Sequence, residues 1–407
     1  MKPDVLNPDT YATGDPARNG LPLDQFAWLR ENAPCYRQEI SDPMLLPWTW
    51  VVTRYDDVVT TNRDHHGFPS RFGVTLREME PTLPDHGGKA AMITMDGADH
   101  VRNRRIVARG FSPNVVRSFE TRFRTMAVKI LDEALAKGSI DFVHDVATEL
   151  PLQAICNLMG VPPEDEHQIL EWANTFSVPT DLDYAPSMDA VFAAINGIWE
   201  YGAKLADLRR QNPGEDIMSK VAAAGEAEQL DQDEIMGMTL LMAGAGNETT
   251  RNALSHGLHA LLRHPEQLAL LREQQDTILD SAIEEILRWA TPVIQFRRTV
   301  DHDMELHGEQ LKAGERMTFM YASANFDPTA FPHPEQFDLT RTPNQHVAFG
   351  TGPHVCLGAA VARLEIKVML EELLDRTKDI RQTGPIVYAR DSFLRGVKHL
   401  PVEMTSA

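Results

Sequence analysis

Six positions in the stretch HVAFGTGPHVCLGAAVARLEI, residues 346 to 366, have the types and spacing for chemistry: Phe349, Gly350, Gly352, His354, Cys356 and Gly358. Glycines at alternate positions let the backbone turn tightly and approach a flat ligand closely, and Phe349 can shield a sulfur. Cys356 stands just before a helical pattern, where free N–H groups and the helix dipole favour a thiolate over a thiol. A lone cysteine is ordinarily a small buried hydrophobe. Six defined positions at fixed spacing argue instead that its sulfur is presented to a ligand.

Further constellations lie elsewhere. In AGNETT, residues 245 to 250, Gly246 costs about 1 kcal/mol against Ala in a helix interior, and the polar residues after it suit no plain apolar core. Such a patch midway along a buried helix marks a groove that admits a ligand or water; the alternative is a local bend without chemistry. In EEILRWATP, Glu285 and Arg288 share one helix face and can pair, a spacing that alone is usually a solvated pair. In DHVRNRRIVARGF, His100 and Arg104 share a face beside a stripe of Arg102, Arg105 and Arg109, and basic runs of this kind are ordinarily solvated. In QFRRTV, strand alternation turns only one of Arg297 and Arg298 inward, and the spacing to DMEL favours Arg298.

These groups need elements to hold them. WTWVVT reads as a strand and YDDVVTTNRD as a short helix, while residues 66 to 95 form a Gly- and Pro-rich loop long enough to suggest a functional role. Helices are expected over 98–110, 115–137, 142–159, 163–177, 186–212 and 216–223. A longer one then runs from an Asp231 cap to a stop at Pro265, about 48 Å, mostly apolar and therefore central. SAIEEILRWA adds a helix before Pro292; FRRTV, MELHG, EQLKAG and RMTFMYA read as strands. A last helix runs from about Leu357 to Arg376, and strand patterns surround IVYARDSFLRGVKHLPVEM. The fold class is mainly α with a small β region. Without a linker, charge block or repeat, residues 1–407 read as a single large domain.

Composition excludes several classes. The net charge of −20 argues against a nucleic-acid partner. The first 25 residues are polar with four prolines, unlike a signal peptide or anchor, and the apolar run MGMTLLMAGAG has 11 residues where a bilayer crossing needs about 20. Three widely spread cysteines fit a reducing cytoplasm without a disulfide framework. No membrane association is expected, and a monomer is.

A thiolate in a glycine-walled, aromatic-shielded bulge is suited to axial ligation of haem iron. With the E-x-x-R, acid-Thr and His/Arg motifs in order and spacing, the chain from about residue 45 to its C-terminus resembles the cytochrome P450 family, soluble bacterial type. The resemblance implies the P450 fold around a buried haem b (iron protoporphyrin IX), with Cys356 as the metal ligand. Phe349, Gly350, Gly358 and Ala245 would lie against the haem, and His100, Arg104, Arg298 and His354 would hold its propionates. Glu248 and Thr249 would be the catalytic acid-alcohol pair that relays protons during O2 activation. Glu285 and Arg288 would lock the loop-rich segment beneath the haem. Gln336 departs from the family's arginine at the third corner of that network, with Arg341 a possible substitute.

The implied reaction is monooxygenation, one atom of O2 entering a C–H or C=C bond of an apolar small molecule. The implied electron supply is NAD(P)H through a ferredoxin reductase and a ferredoxin, docked on Arg102, Arg105, Arg109 and Lys367. A haem-thiolate sensor, or a peroxide-driven or isomerising relative, would usually lack the Glu248–Thr249 pair. Phe72, Phe176, Val178, Val293, Ile294 and Phe393 are candidate apolar lining, implying a steroid, terpenoid or fatty-acyl-sized substrate. AGNETTRN and FLRGVKHLPV look like the actinobacterial subgroup that oxidises sterol side chains and branched lipids. Tailoring of macrolide-type natural products is the alternative.

Overall fold

The central helix follows from its ends. The Asp231 carboxylate accepts from the Glu234 N–H and the Glu234 carboxylate from the Asp231 N–H, a capping box that starts Gln232–Arg263. At the other end Pro265 both stops this helix and opens the next, Pro265–Glu273, at the position where its missing N–H is harmless. The computed structural model describes residues 2–16, 19–77, 91–222 and 230–407. Part of the expected 66–95 loop and the last residue of the expected 216–223 helix lie outside them.

Apolar residues on nearly every face bury the central helix, against Glu149–Met159, Glu166–Ser177, Met188–Gln211 and Gln275–Ala290. Two expected helices are interrupted. The 115–137 span divides into Pro113–Ser118 and Glu120–Lys137, and 142–159 opens with a π-helical turn, Val143–Ala147, before Glu149–Met159. The last helix is Ala359–Arg376, starting two residues later than expected.

The β region is small and split. Trp48–Val52 pairs antiparallel with Cys35–Glu39 and parallel with Arg316–Met320, whose other edge takes Gln295–Thr299 antiparallel. MELHG and EQLKAG form one hairpin, Met304–Leu306 with Glu309–Leu311, because His307 and Gly308 both take the positive φ that a two-residue turn requires. Pro401–Ser406 lies between Ser139–Asp141 and Thr377–Gln382 in a third group. Helices Pro8–Ala12 and Leu23–Asn32, unforeseen from sequence, bury Tyr11, Phe26 and Leu29 in the main core. The architecture is mainly helical with small sheets, as expected.

Candidate functional site

The cysteine loop is shaped by two glycines and one hydrogen bond. Gly350 and Gly352 have φ of 68° and 75°, in the left-handed region. A Cβ on Gly352 would also lie 2.9 Å from the Asn62 carbonyl oxygen. The Cys356 N–H closes the bulge by donating to the Phe349 carbonyl at 2.9 Å. Gly358, the N-cap of Ala359–Arg376, has an ordinary φ of −81°. Its role is to bring the N–H groups of Gly358 and Ala359 to the sulfur. Cys356 is exposed, whereas Cys35 and Cys156 are buried. The sulfur is thus presented, yet it sits deep within the molecule. Burial raises its thiol above the ordinary range, and the two N–H groups with Arg104 and Arg363 offset this only in part. A metal cation at the sulfur would favour the thiolate more strongly than the helix terminus does.

Glu285 and Arg288 are both 0% exposed. Arg288 grips the carboxylate through Nε and Nη2 at 2.8 and 2.7 Å and donates to the carbonyls of Asn325, Pro334 and Gln336 at 2.9, 3.0 and 3.2 Å. The third corner is Arg341, whose Nε reaches Glu285 at 3.1 Å. Gln336 supplies only its carbonyl, to both arginines. From this knot Asn325 accepts the Val347 N–H at 2.8 Å, which ties it to the approach of the cysteine loop.

On the central helix, Leu241, Ala245 and Thr249 recur every four residues as an accessible stripe, with Ala245 exposed. The Thr249 hydroxyl donates to the Ala245 carbonyl at 2.9 Å. Gly246 has a packing reason: a Cβ there would lie 2.6 Å from the Ile155 side chain, so close helix contact, rather than a groove, demands the glycine. Glu248 turns the other way. It is fully buried and paired with Arg251, which donates to Asn174 at 3.1 Å. Burial raises its carboxyl despite Arg251 and Asn252, and among the described residues its Oε1 and both amide atoms of Asn247 have no hydrogen-bond partner. The structure therefore divides the acid-alcohol pair, with the alcohol on the accessible side and the acid behind it.

The expected propionate groups converge. The His100 and His354 rings lie 4.2 Å apart, and Arg104 donates to the Val355 carbonyl at 2.6 Å. His100 Nε2 is buried without a partner among the described residues, and burial together with His354 and Arg104 holds this imidazole down to about 4. Arg298, 3% exposed, donates to the Arg297 carbonyl at 2.8 Å and has no carboxylate in ion-pair reach among the described residues. Strand alternation does not turn its neighbour outward: Arg297 is buried too, donating to the Phe72 carbonyl at 2.6 Å. A buried imidazole without a partner and two arginines, Arg104 and Arg298, that among the described residues donate only to backbone carbonyls fit, beside a presented sulfur, a flat, iron-bearing ligand with two carboxylates. Haem passes that test on the residues present.

Sequence reasoning missed Asp96 and Ser70. Ser70 Oγ lies 3.2 Å from His354 Nε2, and Asp96 lies 3.8 Å from the same nitrogen. Burial would raise the Asp96 carboxyl, but His354 and the N–H groups of Ser70 and Arg71 hold it at about 2. Its place as N-cap of Gly97–Ala108 was the available signal. Arg102, expected to face solvent, pairs with Glu234 of the central helix, while Arg105 and Arg109 are exposed. Of the candidate lining, Val178 clusters with Ala389 and Leu394, packed by Val293 and Phe393. Phe176 closes on Gly244 and Ile294 is fully buried, while Phe72 is 51% exposed.

The cytochrome P450 family model matches residues 198–379. A steroid C26-monooxygenase of Mycolicibacterium smegmatis is 36% identical, over 95% of this chain and 91% of that protein. A methyl-branched lipid omega-hydroxylase of Mycobacterium bovis is 38% identical, over 97% and 92%. Among solved structures, a Mycobacterium marinum cytochrome P450 (CYP268A2) in complex with pseudoionone superposes with a TM-score of 0.89 at 34% identity, covering 98% of both chains. CYP109E1 of Bacillus megaterium in complex with testosterone gives 0.84 at 30%, covering 94% and 97%. Likeness of this extent, together with a presented cysteine beside Arg104 and His100, places the chain in the cytochrome P450 family, as a haem b monooxygenase of the bacterial type.

Proposed function

We propose that the enzyme hydroxylates an apolar substrate of steroid, terpenoid or methyl-branched lipid class. Cys356 would bind the haem iron through its sulfur, His100, Arg104, Arg298 and His354 would hold the propionates, and Phe349, Gly350, Gly358 and Ala245 would pack against the ring. The haem, when bound, supplies O2 activation. The protein contributes the site around it: Thr249 offers a hydroxyl on the accessible face of the central helix, and the buried Glu248 behind it holds a proton above the usual carboxylate range. That division of alcohol and acid carries the reading, since a sensor has no use for a proton route and a peroxide-driven relative usually lacks this pair. Thr249→Ala is expected to lower product formed per NAD(P)H by about tenfold or more and to raise hydrogen peroxide release. Unchanged coupling would remove Thr249 from the route.

The substrate class rests on the apolar wall of Val178, Val293, Phe393 and Leu394 and on the names of the relatives. A spectral titration of the ferric protein with steroids, terpenes, branched fatty acids and macrolides tests it. The high-spin shift should follow the first three groups; a response confined to macrolides sinks the assignment. Electrons reach the enzyme from NAD(P)H through a ferredoxin reductase and a ferredoxin that docks on the exposed Arg105 and Arg109 and on Lys367, without Arg102, which Glu234 occupies. Three free cysteines suit the cytoplasm, and no helix among the described residues is long and apolar enough to cross a membrane.

A further inference from the structure

Gln295 opens the strand Gln295–Thr299, is 0% exposed, and among the described residues has no hydrogen-bond partner for either atom of its amide. A buried amide normally has partners, because burying it without them destabilises the fold. The residue borders a cavity of ≈ 20 Å³. One water-sized group needs roughly 10–15 Å³, so the space admits a single oxygen substituent.

Among the other polar walls, Arg77, Thr180 and Asp391 are already committed. Arg77 donates to the Phe176 carbonyl at 3.2 Å and lies in the field of Asp391. Asp391 accepts from the Thr180 hydroxyl and the Leu394 N–H, both at 2.9 Å, and from the Phe393 N–H. An arginine and an aspartate offset each other here, so the cavity favours a neutral oxygen over a carboxylate or an amine. The Gln295 amide offers one donor group and one acceptor, the complement of a hydroxyl and half the complement of a ketone.

Neither the cysteine loop nor the Ala245–Thr249 stripe contributes to this cavity, whereas Phe393 belongs to both the cavity and the apolar wall. Its ring meets Phe296 at 5.2 Å, one residue along the strand from Gln295. A molecule lying along that wall could reach Gln295 with one end while another part is oxidised.

We infer that Gln295 is a specificity-determining residue that hydrogen-bonds a hydroxyl or ketone oxygen on the substrate, at a position remote from the oxidised carbon. The inference rests on the apolar-substrate reading above. Its test is a ferric spin-state titration of the haem-loaded parent, Gln295→Leu and Gln295→Met with a 3-hydroxysteroid, its 3-ketone and its 3-deoxy hydrocarbon. The parent should prefer an oxygenated member by about tenfold or more, and both variants should lose that preference while melting no lower than the parent. A preference that survives in the variants overturns the role of Gln295 while leaving the substrate class standing. So does a drop in melting temperature with the preference intact, the mark of a residue that only holds structural water. If no member of the series shifts the parent's spectrum, the steroid reading falls and the inference falls with it.

Discussion

Arg288→Ala is expected to leave no cooperative thermal transition and no haem uptake under conditions where the parent is fully folded. The side chain is 0% exposed and grips the equally buried Glu285 through two nitrogens. Breaking a buried ion pair by removing one member costs about 3–5 kcal/mol. The carbonyls of Asn325 and Pro334 would also lose this donor, at about 1–3 kcal/mol each, while Gln336 keeps Arg341. Together these approach the whole stability of an ordinary protein, about 5–15 kcal/mol. Arg341→Ala should be milder, since Glu285 keeps Arg288, Asn344 and the Asp338 N–H. Circular dichroism melts and haem content read both variants. An Arg288→Ala protein melting within a few degrees of the parent would show that the knot does not hold the segment beneath the haem.

The parts of the site legible in the sequence are those in which local chemistry and spacing coincide. Gly350 and Gly352 could be read because positive φ restricts residue choice, and the central helix because Asp231 and Glu234 stand three apart in a capping pattern. Helical periodicity put His100 with Arg104, and Glu285 with Arg288, on shared faces, and the family resemblance supplied their roles. What could not be read depends on the approach of segments far apart in the chain. Gly246 looks like a weak point of a helix until Ile155 packs on it from ninety-odd residues away. Arg102 looks solvated until Glu234 meets it. Alternation assigns one of Arg297 and Arg298 to solvent, but other chain covers both faces of that strand: the Phe72 carbonyl receives Arg297, and the Phe296 ring lies under Arg298. Arg341 could be named only as a candidate, since its claim on Glu285 depends on the path of the loop between them. The N-terminal helices were missed because Leu23–Asn32 buries only two of its residues, which leaves little periodicity to detect.

Glu365→Gln should make the protein more stable at pH 8 and change little near pH 5. Glu365 is 2% exposed, its only described hydrogen-bond partner is the Thr250 hydroxyl, its Oε2 has none, and burial pushes its carboxyl up to about 8. In the unfolded chain the same group titrates near 4.5. Between those values the native state keeps a proton that the unfolded state has lost, so stability falls as pH rises, by up to about 1.4 kcal/mol per unit. Across the interval the loss amounts to a few kcal/mol. Glutamine keeps the neutral shape and an acceptor for Thr250 but cannot ionise, so the variant should lose this slope. Denaturant unfolding of both proteins at pH 5 and pH 8 measures the difference. Equal stabilities at pH 8 would mean that Glu365 ionises at no cost, and that a cation or solvent reaches it between the central helix and Ala359–Arg376. Coupling provides a second discriminator. Thr250 neighbours Thr249 but lies on the buried side of the helix, so Glu365→Gln should shift stability while leaving product yield intact, the reverse of Thr249→Ala.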